Sequence, residues 1–353
     1  MTANSQDDFT VLADLGWDAA RAAELAELAV PQGEMGRVSR VDRAVCTVLG
    51  PHPRRVRYGS HGVATGDWVV AAPGTLTADP WQVRSVLTRR SSFSRLASGE
   101  RAQEQVVATN VDVVLLAQAL DRELNIHSLE RYLTLAWNSG AQPVVVLTKA
   151  DCRSREETTE FVGRATEAAG AAPVLAVSTV TGAGVTELTD LWLRRGRTLA
   201  LVGPSGAGKS TLVNKIIGSE AMATAGVRAD GKGRHTTTHR ELLIVPGRGI
   251  LLDTPGMRGL GLWGSAEGLE RTFPDLELLA TACRFRDCAH DREPGCAVTA
   301  AVRAGSMSSD RLESWRKLGR EQLSVAARQG DLSLQHQERE RWKGLTKNNR
   351  QGR

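Results

Sequence analysis

The sequence predicts a multidomain protein with an amino-terminal β-barrel, a central α/β domain and a carboxyl-terminal α-helical domain that binds metal. Short alternating apolar runs stand between glycine and proline turns in the first part, strands and helices alternate in the middle, and three of the five cysteines lie between 283 and 296. The expected division is a helical extension at 1–35, the barrel at 36–88, a linker at 89–105, the α/β domain at 106–274, the metal-binding helical domain at 275–338 and a basic tail at 339–353.

The overall composition is that of an ordinary soluble protein. Of the 353 residues, 41% are hydrophobic and 24% are charged. The polar, acidic start MTANSQDDFT lacks the apolar segment of a secretory signal, and no run approaches the ~20 apolar residues of a membrane span. We therefore expect a cytoplasmic protein without membrane attachment, and a monomer is the expected state.

Positive charge collects towards both ends of the chain, although the net charge is only +5. Arginines crowd the barrel region, and lysines and arginines outnumber acids in the last fifteen residues. Two interpretations stay open. These are either solvated arginine faces or two contacts to a polyanion, for which nucleic acid is the expected partner.

The amino-terminal third predicts a helix followed by short strands. An alanine-rich helix is expected roughly from Asp18 to Val30, ended by Pro31. The runs RAVCTVLG, RRVRYG, DWVVAAP and WQVRSVL predict barrel strands. Five strands with a basic face suit an OB-fold, although the periodicity alone does not require that barrel. RRSSFSRLASGERAQEQ is interpreted as the linker.

The central domain contains a phosphate-binding loop. Buried strands such as VDVVLLAQAL alternate with amphipathic helices, as in a parallel sheet covered on both faces. Between one strand and one helix stands GPSGAGKS, which fits the P-loop pattern G-x-x-x-x-G-K-[ST]. Lys209 is expected to reach the β/γ oxygens, and Ser210 to ligate Mg²⁺. The expected nucleotide-binding residues of this loop are Gly203, Pro204, Ser205, Gly206, Ala207, Gly208, Lys209, Ser210 and Thr211.

Two segments beyond the P-loop carry candidate switch residues. LLDTPG places Asp253 at a strand end, where it would hold Mg²⁺ through a water, and Gly256 would direct its N–H to a γ-phosphate. GKGRHTTTH offers Thr236 or Thr237 to complete the Mg²⁺ shell, with a plain polar loop as the alternative interpretation.

The position after DTPG bears on hydrolysis. Many GTPases place a water-orienting glutamine there, and this chain has Met257. We therefore expect slow unaided hydrolysis, with the replacement supplied by His235, by His239 or by a partner. His235 is the catalytic candidate.

TKAD, directly after PVVVL, predicts a guanine-binding loop. The Asp151 carboxylate offers two acceptor oxygens that match guanine N1–H and N2–H₂, a donor pair that adenine lacks. Lys149 is expected to lie along the base, and Thr148 stands where most such motifs have asparagine. VST, with Ser178, suits a second loop beside the base.

The base motif precedes the P-loop, whereas most GTP-binding chains have the opposite order. Rotating the order of the motifs gives the usual one, so the sequence predicts a circularly permuted P-loop GTPase domain that binds GTP or GDP with Mg²⁺. The segment after DTPG then enters the carboxyl-terminal region. Nucleotide-dependent changes near Asp253 would therefore be transmitted there.

The cysteine-rich segment predicts one structural zinc site. The pattern C-x₄-C-x-H-x₅-C offers three thiolates and one imidazole, a closed tetrahedral set without a position for water. The expected ligands are Cys283, Cys288, His290 and Cys296.

Together these motifs resemble one family, the circularly permuted, ribosome small-subunit-dependent GTPases known as RsgA or YjeQ. The resemblance spans roughly residues 36–325, and it rests on QVVATNVDVVLL, LERYL, LTKAD, GPSGAGKSTLVN, GKGRHTTTH, LLDTPGMR and CRFRDCAHDREPGC. It implies an OB-fold, a permuted GTPase domain and a zinc-bearing carboxyl-terminal domain. It also implies binding to the 30S ribosomal subunit and its 16S rRNA, late maturation of that subunit, and GTP hydrolysis that the subunit stimulates.

Two other functions stay open on the residues alone. A nucleotide-switched RNA-binding module with little catalysis is favoured by Met257. An ATP-using P-loop enzyme would make TKAD an incidental strand end, and Asp151 would then have no influence on nucleotide choice.

Overall fold

Two short helices open the protein. The computed structural model describes residues 6–28, 33–74, 80–96, 104–224, 241–253 and 267–329. Helix α1 (Gln6–Asp14) precedes α2 (Ala19–Glu27), which Asp18 caps by accepting a hydrogen bond from the Arg21 backbone N–H at 3.0 Å. Only the second helix was predicted. Helix α1 and the turn after it bury Leu12 and Leu15. This tertiary packing stabilises a helix whose own sequence has only a weak helical pattern.

A closed five-stranded barrel follows. Its strands are β1 (Glu34–Val41), β2 (Val45–Leu49), β3 (Arg54–Arg57), β4 (Trp68–Ala72) and β5 (Gln82–Val86). They are ordered β1-β2-β3-β5-β4, β4 pairs back onto β1, and β3 with β5 is the parallel pair. Val38, Val56 and Val69 lie in its buried interior. The predicted OB-type barrel is confirmed.

An antiparallel strand pair lies between the barrel and the central sheet. Strand β6 (Ser92–Leu96) pairs with β7 (Glu104–Thr109), with Phe93 opposite Ala108. The segment 89–105, expected as a linker, therefore contains β6 and the first residues of β7. The serines and charged residues of this segment obscure the alternation of apolar and polar residues that is typical of a strand. The apolar Phe93 of β6 is nevertheless buried.

The central domain is a six-stranded sheet with connecting helices. The strand order is β10-β9-β8-β11-β13-β12, in which all neighbours are parallel except β12 and β13. The strands are β8 (Val113–Ala119), β9 (Gln142–Thr148), β10 (Val174–Ala176), β11 (Thr198–Val202), β12 (Glu241–Ile244) and β13 (Ile250–Asp253). Every residue of β8 is buried, as expected for a strand covered on both faces. The predicted α/β architecture is confirmed.

Four helices flank this sheet within the described residues. They are α3 (Ile126–Asn138), α4 (Arg155–Ala169), α5 (Val185–Trp192) and α6 (Lys209–Thr224). Asn125 caps α3, and Ser154 with Glu157 forms a capping box on α4. Helix α6 is interrupted at Gly218, whose backbone is not helical.

The carboxyl-terminal region is helical and packs on α3. Its helices are α7 (Glu267–Thr272), α8 (Pro274–Ala280), α9 (Ala297–Arg303) and α10 (Ser309–Gln329). Arg311 of α10 donates to both carboxylate oxygens of Asp275, at 2.6 and 2.8 Å, and to Glu130 of α3 at 2.9 Å. Charged groups therefore join this region to the central domain. Among the helices that the structure describes, none is long and apolar enough to cross a bilayer.

Candidate functional site

The P-loop joins the end of β11 to the start of α6. Gly203, Gly206 and Gly208 all have positive φ, at 150°, 77° and 73°. A Cβ atom on Gly203 would lie 2.4 Å from the Ala117 carbonyl oxygen of β8, so a side chain cannot be placed there without moving a central strand. Ser205 and Gly206 at the crest of the loop are exposed. The loop is thus held at its base and open at its crest.

Lys209 begins α6 and bends back over the loop. Its Nζ donates to the Gly203 carbonyl at 2.8 Å and to the Pro204 carbonyl at 2.7 Å. Ser210 and Thr211 follow in the first turn and are exposed. An ammonium group and the amino-terminal end of α6 therefore lie beside the crest, an arrangement that attracts phosphate.

The base motif contacts the P-loop directly. The Thr148 hydroxyl, at the end of β9, lies 2.9 Å from the Ala207 carbonyl oxygen and 3.3 Å from that of Gln118. Thr148 is 2% exposed, and its Oγ1 would lie 3.5 Å from a Cβ on Gly208. The threonine that replaces the usual asparagine thus joins the two loops through its hydroxyl.

Asp151 is held by the second predicted loop. The Ser178 hydroxyl donates to Asp151 Oδ1 at 2.5 Å, and it accepts from the Thr181 backbone N–H at 3.1 Å. Asp151 itself is exposed. This contact orients the carboxylate, and the exposed side chain leaves it open to a ligand with paired donors.

Lys149 has a left-handed backbone, with φ of 57°, and its Nζ lies 2.5 Å from Asp121 Oδ2. Asp121 and Arg122 follow β8, and sequence reasoning missed both. Hydrogen bonds from Lys149 and Arg122 hold the pKa of Asp121 below its usual value. Arg122 Nη2 lies only 3.2 Å from the position of a Cβ on Gly206. The sequence feature that could have indicated Asp121 and Arg122 is the charged run DRE, which follows a buried strand.

The parallel sheet explains why these loops meet. Strands β8, β9, β10 and β11 run in the same direction, so their carboxyl ends share one edge of the sheet. The base motif follows β9 and the P-loop follows β11, and only β8 separates the two strands. Asp253 ends β13, which is parallel to β11, so its backbone belongs to the same edge.

Four predicted catalytic residues lie outside the residues that the structure describes. They are His235, Thr236, Thr237 and Gly256. Their assignments stay predictions from the sequence, as does that of Met257.

The four predicted metal ligands form one cluster. The ligand atoms of Cys283, Cys288, His290 and Cys296 all lie within 4.8 Å of one another. The Cys283 and Cys296 sulfurs are 3.9 Å apart, and each is 3.5 Å from His290 Nδ1. A tetrahedral zinc ion with Zn–S of about 2.3 Å and Zn–N of about 2.0–2.1 Å would give about 3.8 Å and about 3.6 Å for these separations. The donor set and its spacing fit zinc.

Neighbouring groups hold the cluster in shape. His290 has a positive φ of 58°, its carbonyl accepts a hydrogen bond from Arg316, and its ring lies edge-on to Trp315 at 5.6 Å. Cys296 caps α9, where its sulfur accepts from the Thr299 N–H at 3.4 Å. His290 and Cys296 are buried. The cluster therefore belongs to the helical core, as a structural site does.

Comparisons of this chain with known proteins agree on one family. The family described as RsgA GTPase matches residues 86–263. A relative from Streptomyces avermitilis, named small ribosomal subunit biogenesis GTPase RsgA, is 45% identical over 94% of this chain and 91% of its own length. One of the same name from Opitutus terrae is 42% identical and covers 95% of each chain.

Two solved structures have a similar fold. The crystal structure of YjeQ from Thermotoga maritima matches with a TM-score of 0.61 and 25% identity, over 81% of this chain and 97% of that one. The structure of YloQ, described as a circularly permuted GTPase, matches with a TM-score of 0.58 and 21% identity, over 82% of this chain and 95% of that one. The order of strands and loops described above agrees with such a permutation.

Proposed function

The chain belongs to the family of RsgA GTPases, and from this premise we propose that it hydrolyses GTP in the biogenesis of the small ribosomal subunit. The observation that carries the proposal is the hydrogen bond between Thr148 and Ala207. It joins a guanine-type loop to a phosphate-type loop across one edge of the sheet, although the two are far apart in the sequence. A single nucleotide can therefore contact both.

Guanine selection is assigned to Asp151. Its carboxylate accepts from guanine N1–H and N2–H₂, and adenine cannot supply this pair. Ser178 holds the carboxylate in place, and the aliphatic part of Lys149 lies along the base while Asp121 holds its ammonium group. The ATP-using alternative lacks support, because Asp151 is positioned by a second loop and is not an incidental strand end.

The P-loop residues bind the phosphates. Backbone N–H groups between Gly203 and Thr211, that of Pro204 excepted because proline has none, surround the phosphate chain. Lys209 exchanges its two carbonyl acceptors for phosphate oxygens. The Ser210 hydroxyl would hold Mg²⁺, with Asp253 acting through a water. When bound, Mg²⁺ neutralises charge on the β- and γ-phosphates.

The remaining catalytic roles rest on the sequence. Thr236 or Thr237 completes the Mg²⁺ shell, and the Gly256 N–H contacts the γ-phosphate. His235 orients the attacking water in place of the glutamine that Met257 replaces.

Zinc is proposed as the ion of the cysteine cluster, with a structural role. Cys283, Cys288, His290 and Cys296 provide a closed donor set without an open position. The ion would tie the loop before α9 to α10, through Arg316 and Trp315.

The proposed partner is the 30S subunit, through its 16S rRNA. A groove of about 380 Å³ on the barrel is lined by Arg57, Tyr58, His61 and Arg84, and the neighbouring Arg55 is exposed. Cationic and aromatic groups on one face of an OB-type barrel suit RNA. Late maturation of the subunit and stimulated hydrolysis belong to the same proposal, as do a monomeric state and a cytoplasmic location.

The deciding experiment measures turnover of GTP and ATP with and without purified 30S subunits. We expect GTP turnover to rise strongly with subunits and ATP turnover to stay at background. His235→Ala should abolish the rise, and the matched variant His239→Ala should keep it. Equal turnover of GTP and ATP would remove the guanine site. Salt-sensitive RNA binding without any stimulation would favour the nucleotide-switched RNA-binding module.

A further inference from the structure

A second cavity, of about 260 Å³, lies where the amino-terminal helices meet the barrel and the central sheet. Its wall includes Asp112, just before β8, and Arg197, just before β11. These positions are at the amino ends of the strands, whereas the nucleotide loops follow the carboxyl ends. The cavity is therefore on the opposite edge of the sheet from the nucleotide site.

Positive charge dominates the wall of this cavity. Its acidic residues are Asp18 and Asp112. Its arginines are Arg21, Arg37, Arg90, Arg195 and Arg197. A concave surface with such an excess of guanidinium groups is suited to an anion.

The acids of this region are already engaged. Asp18 accepts from Arg90 at 2.5 and 2.7 Å, and Asp112 accepts from the Thr198 backbone N–H at 2.7 Å. Arg195 pairs with Asp14. Within the described residues neither Arg21 nor Arg37 forms an ion pair, although the carboxylate of Asp112 stands in the same wall and offsets part of their charge.

Arg21 is the informative residue. It is 3% exposed, its Nη2 donates to Asn110 Oδ1 at 2.9 Å, and within the described residues its Nε and Nη1 have no hydrogen-bond partner. Its guanidinium carbon lies 5.5 Å from the centre of the Trp68 ring. A buried guanidinium with two unsatisfied donors is costly, and an anion in the adjoining cavity would offset part of that cost through its charge. Burial accordingly lowers the pKa of Arg21 to about 10.

Arg37 fixes the wall behind it. Its guanidinium donates to three backbone carbonyls, those of Gly66 at 3.2 Å, Leu15 at 2.7 Å and Asn110 at 2.7 Å. These carbonyls belong to the barrel, the amino-terminal helices and the segment leading to β8. Arg37 is 1% exposed and none of these acceptors is charged. It joins these three segments behind the cavity and adds a positive charge, which Asp112 and Asp67 offset in part.

We propose that this cavity binds the phosphoryl group of a small phosphorylated molecule, which the positive charge of Arg21, Arg37 and Arg197 attracts. The volume leaves room for more than the phosphoryl group, and Trp17, edge-on to Trp68 at 5.0 Å, provides an apolar side. The volume of about 260 Å³ is too small for a helical polynucleotide, so a small molecule is the proposed occupant.

The test uses the full chain saturated with GDP and Mg²⁺, so that the P-loop is filled. Inorganic phosphate and adenosine 5′-monophosphate are titrated against it at constant ionic strength, by calorimetry and by the midpoint of thermal unfolding. We expect saturable binding and a rising midpoint. Arg21→Met should weaken binding at least tenfold, and the matched Arg164→Met, on an exposed arginine of α4, should bind as the unaltered protein does.

A second variant guards against misfolding of the first. Arg197 is exposed at the rim, so Arg197→Glu should fold normally, keep its affinity for GDP and weaken phosphate binding severalfold. The proposal is overturned if the unaltered protein shows no saturable binding, or if both variants bind phosphate normally. It is also overturned if a single-stranded RNA 12-mer without terminal phosphate displaces the phosphate, since the occupant would then be a polynucleotide.

Discussion

Replacing Arg311 by methionine tests how the carboxyl-terminal helices are attached to the central domain. The substitution keeps the length of the side chain and removes the guanidinium that pairs with Glu130 and Asp275. Glu130 is 1% exposed, so it would remain as a buried carboxylate without its cationic partner, which costs about 3–5 kcal/mol. Asp275 is half-exposed and adds little. At about 2–4 °C per kcal/mol, the midpoint of thermal unfolding should fall by roughly 10 °C.

The effect should depend on pH in a defined direction. Burial raises the pKa of Glu130, against the opposing influence of Arg311 and of His127, and loss of Arg311 raises it further. A carboxyl whose folded pKa is raised favours folding below its unfolded pKa of about 4.3, and this advantage is lost as pH rises through the folded value. The deficit of Arg311→Met should therefore be small near pH 4 and largest at neutral pH.

Two further variants distinguish the cost of leaving the buried Glu130 carboxylate unpaired from the cost of losing one positive charge. Glu130→Gln combined with Arg311→Met removes the buried charge and should recover most of the stability. Arg131→Met breaks a pair with Glu321 between the same two helices, but both partners are about one-third exposed, so its cost should stay below about 1 kcal/mol. Denaturant unfolding measures all of these. Equal costs for Arg311→Met and Arg131→Met would refute the reasoning.

Three other outcomes follow from the sites. Asp151→Asn should lower GTP affinity at least tenfold and favour xanthosine triphosphate, because an amide donates to the xanthine 2-carbonyl, and a competition assay with both nucleotides measures this. Purified protein should release one zinc ion per chain to a chelator with loss of helical signal, whereas Cys296→Ser should contain no zinc before chelation; a full zinc content in that variant contradicts the ligand set. The hydrogen bond from Arg90 lowers the pKa of Asp18 to about 2, so the stability that this pair adds should be present above about pH 4 and lost as pH falls towards 2; Asp18→Asn should flatten that part of the stability profile.

The sequence predicts two nucleotide-binding loops because their motifs are local, and the structure brings these loops together at one edge of the sheet. The P-loop needs glycines at fixed offsets before Lys209, and Asp151 follows a buried strand directly, so both can be recognised within a few residues. The cysteine cluster was recognisable for the same reason. The parallel sheet followed from the alternation of strands and helices, and with it the meeting of the two loops at one edge.

Other features depend on partners distant in sequence and could not be predicted. Nothing near Arg21 indicates that it is buried against Trp68, and nothing near Arg311 indicates Glu130 of α3. The contact of Thr148 with Ala207 was likewise invisible, because a hydroxyl in a strand end has many local partners to choose from. From the sequence, strand β6 is interpreted as linker because its pairing partner β7 comes only after a stretch rich in polar residues.

The position of β8 in the sheet has a consequence for synthesis. Its neighbour β9 follows soon after it along the chain, but its other neighbour, β11, is made only after α4, β10 and α5. While the nascent chain emerges from the ribosome, one edge of β8, whose seven residues are buried in the finished domain, therefore has no paired strand until β11 is made. The loops proposed to bind guanine are complete in the chain before any residue of the P-loop exists. By the proposed assignments, nucleotide has no complete binding site with which to stabilise the nascent domain until the chain beyond α6, through Asp253 and Gly256, has also been synthesised.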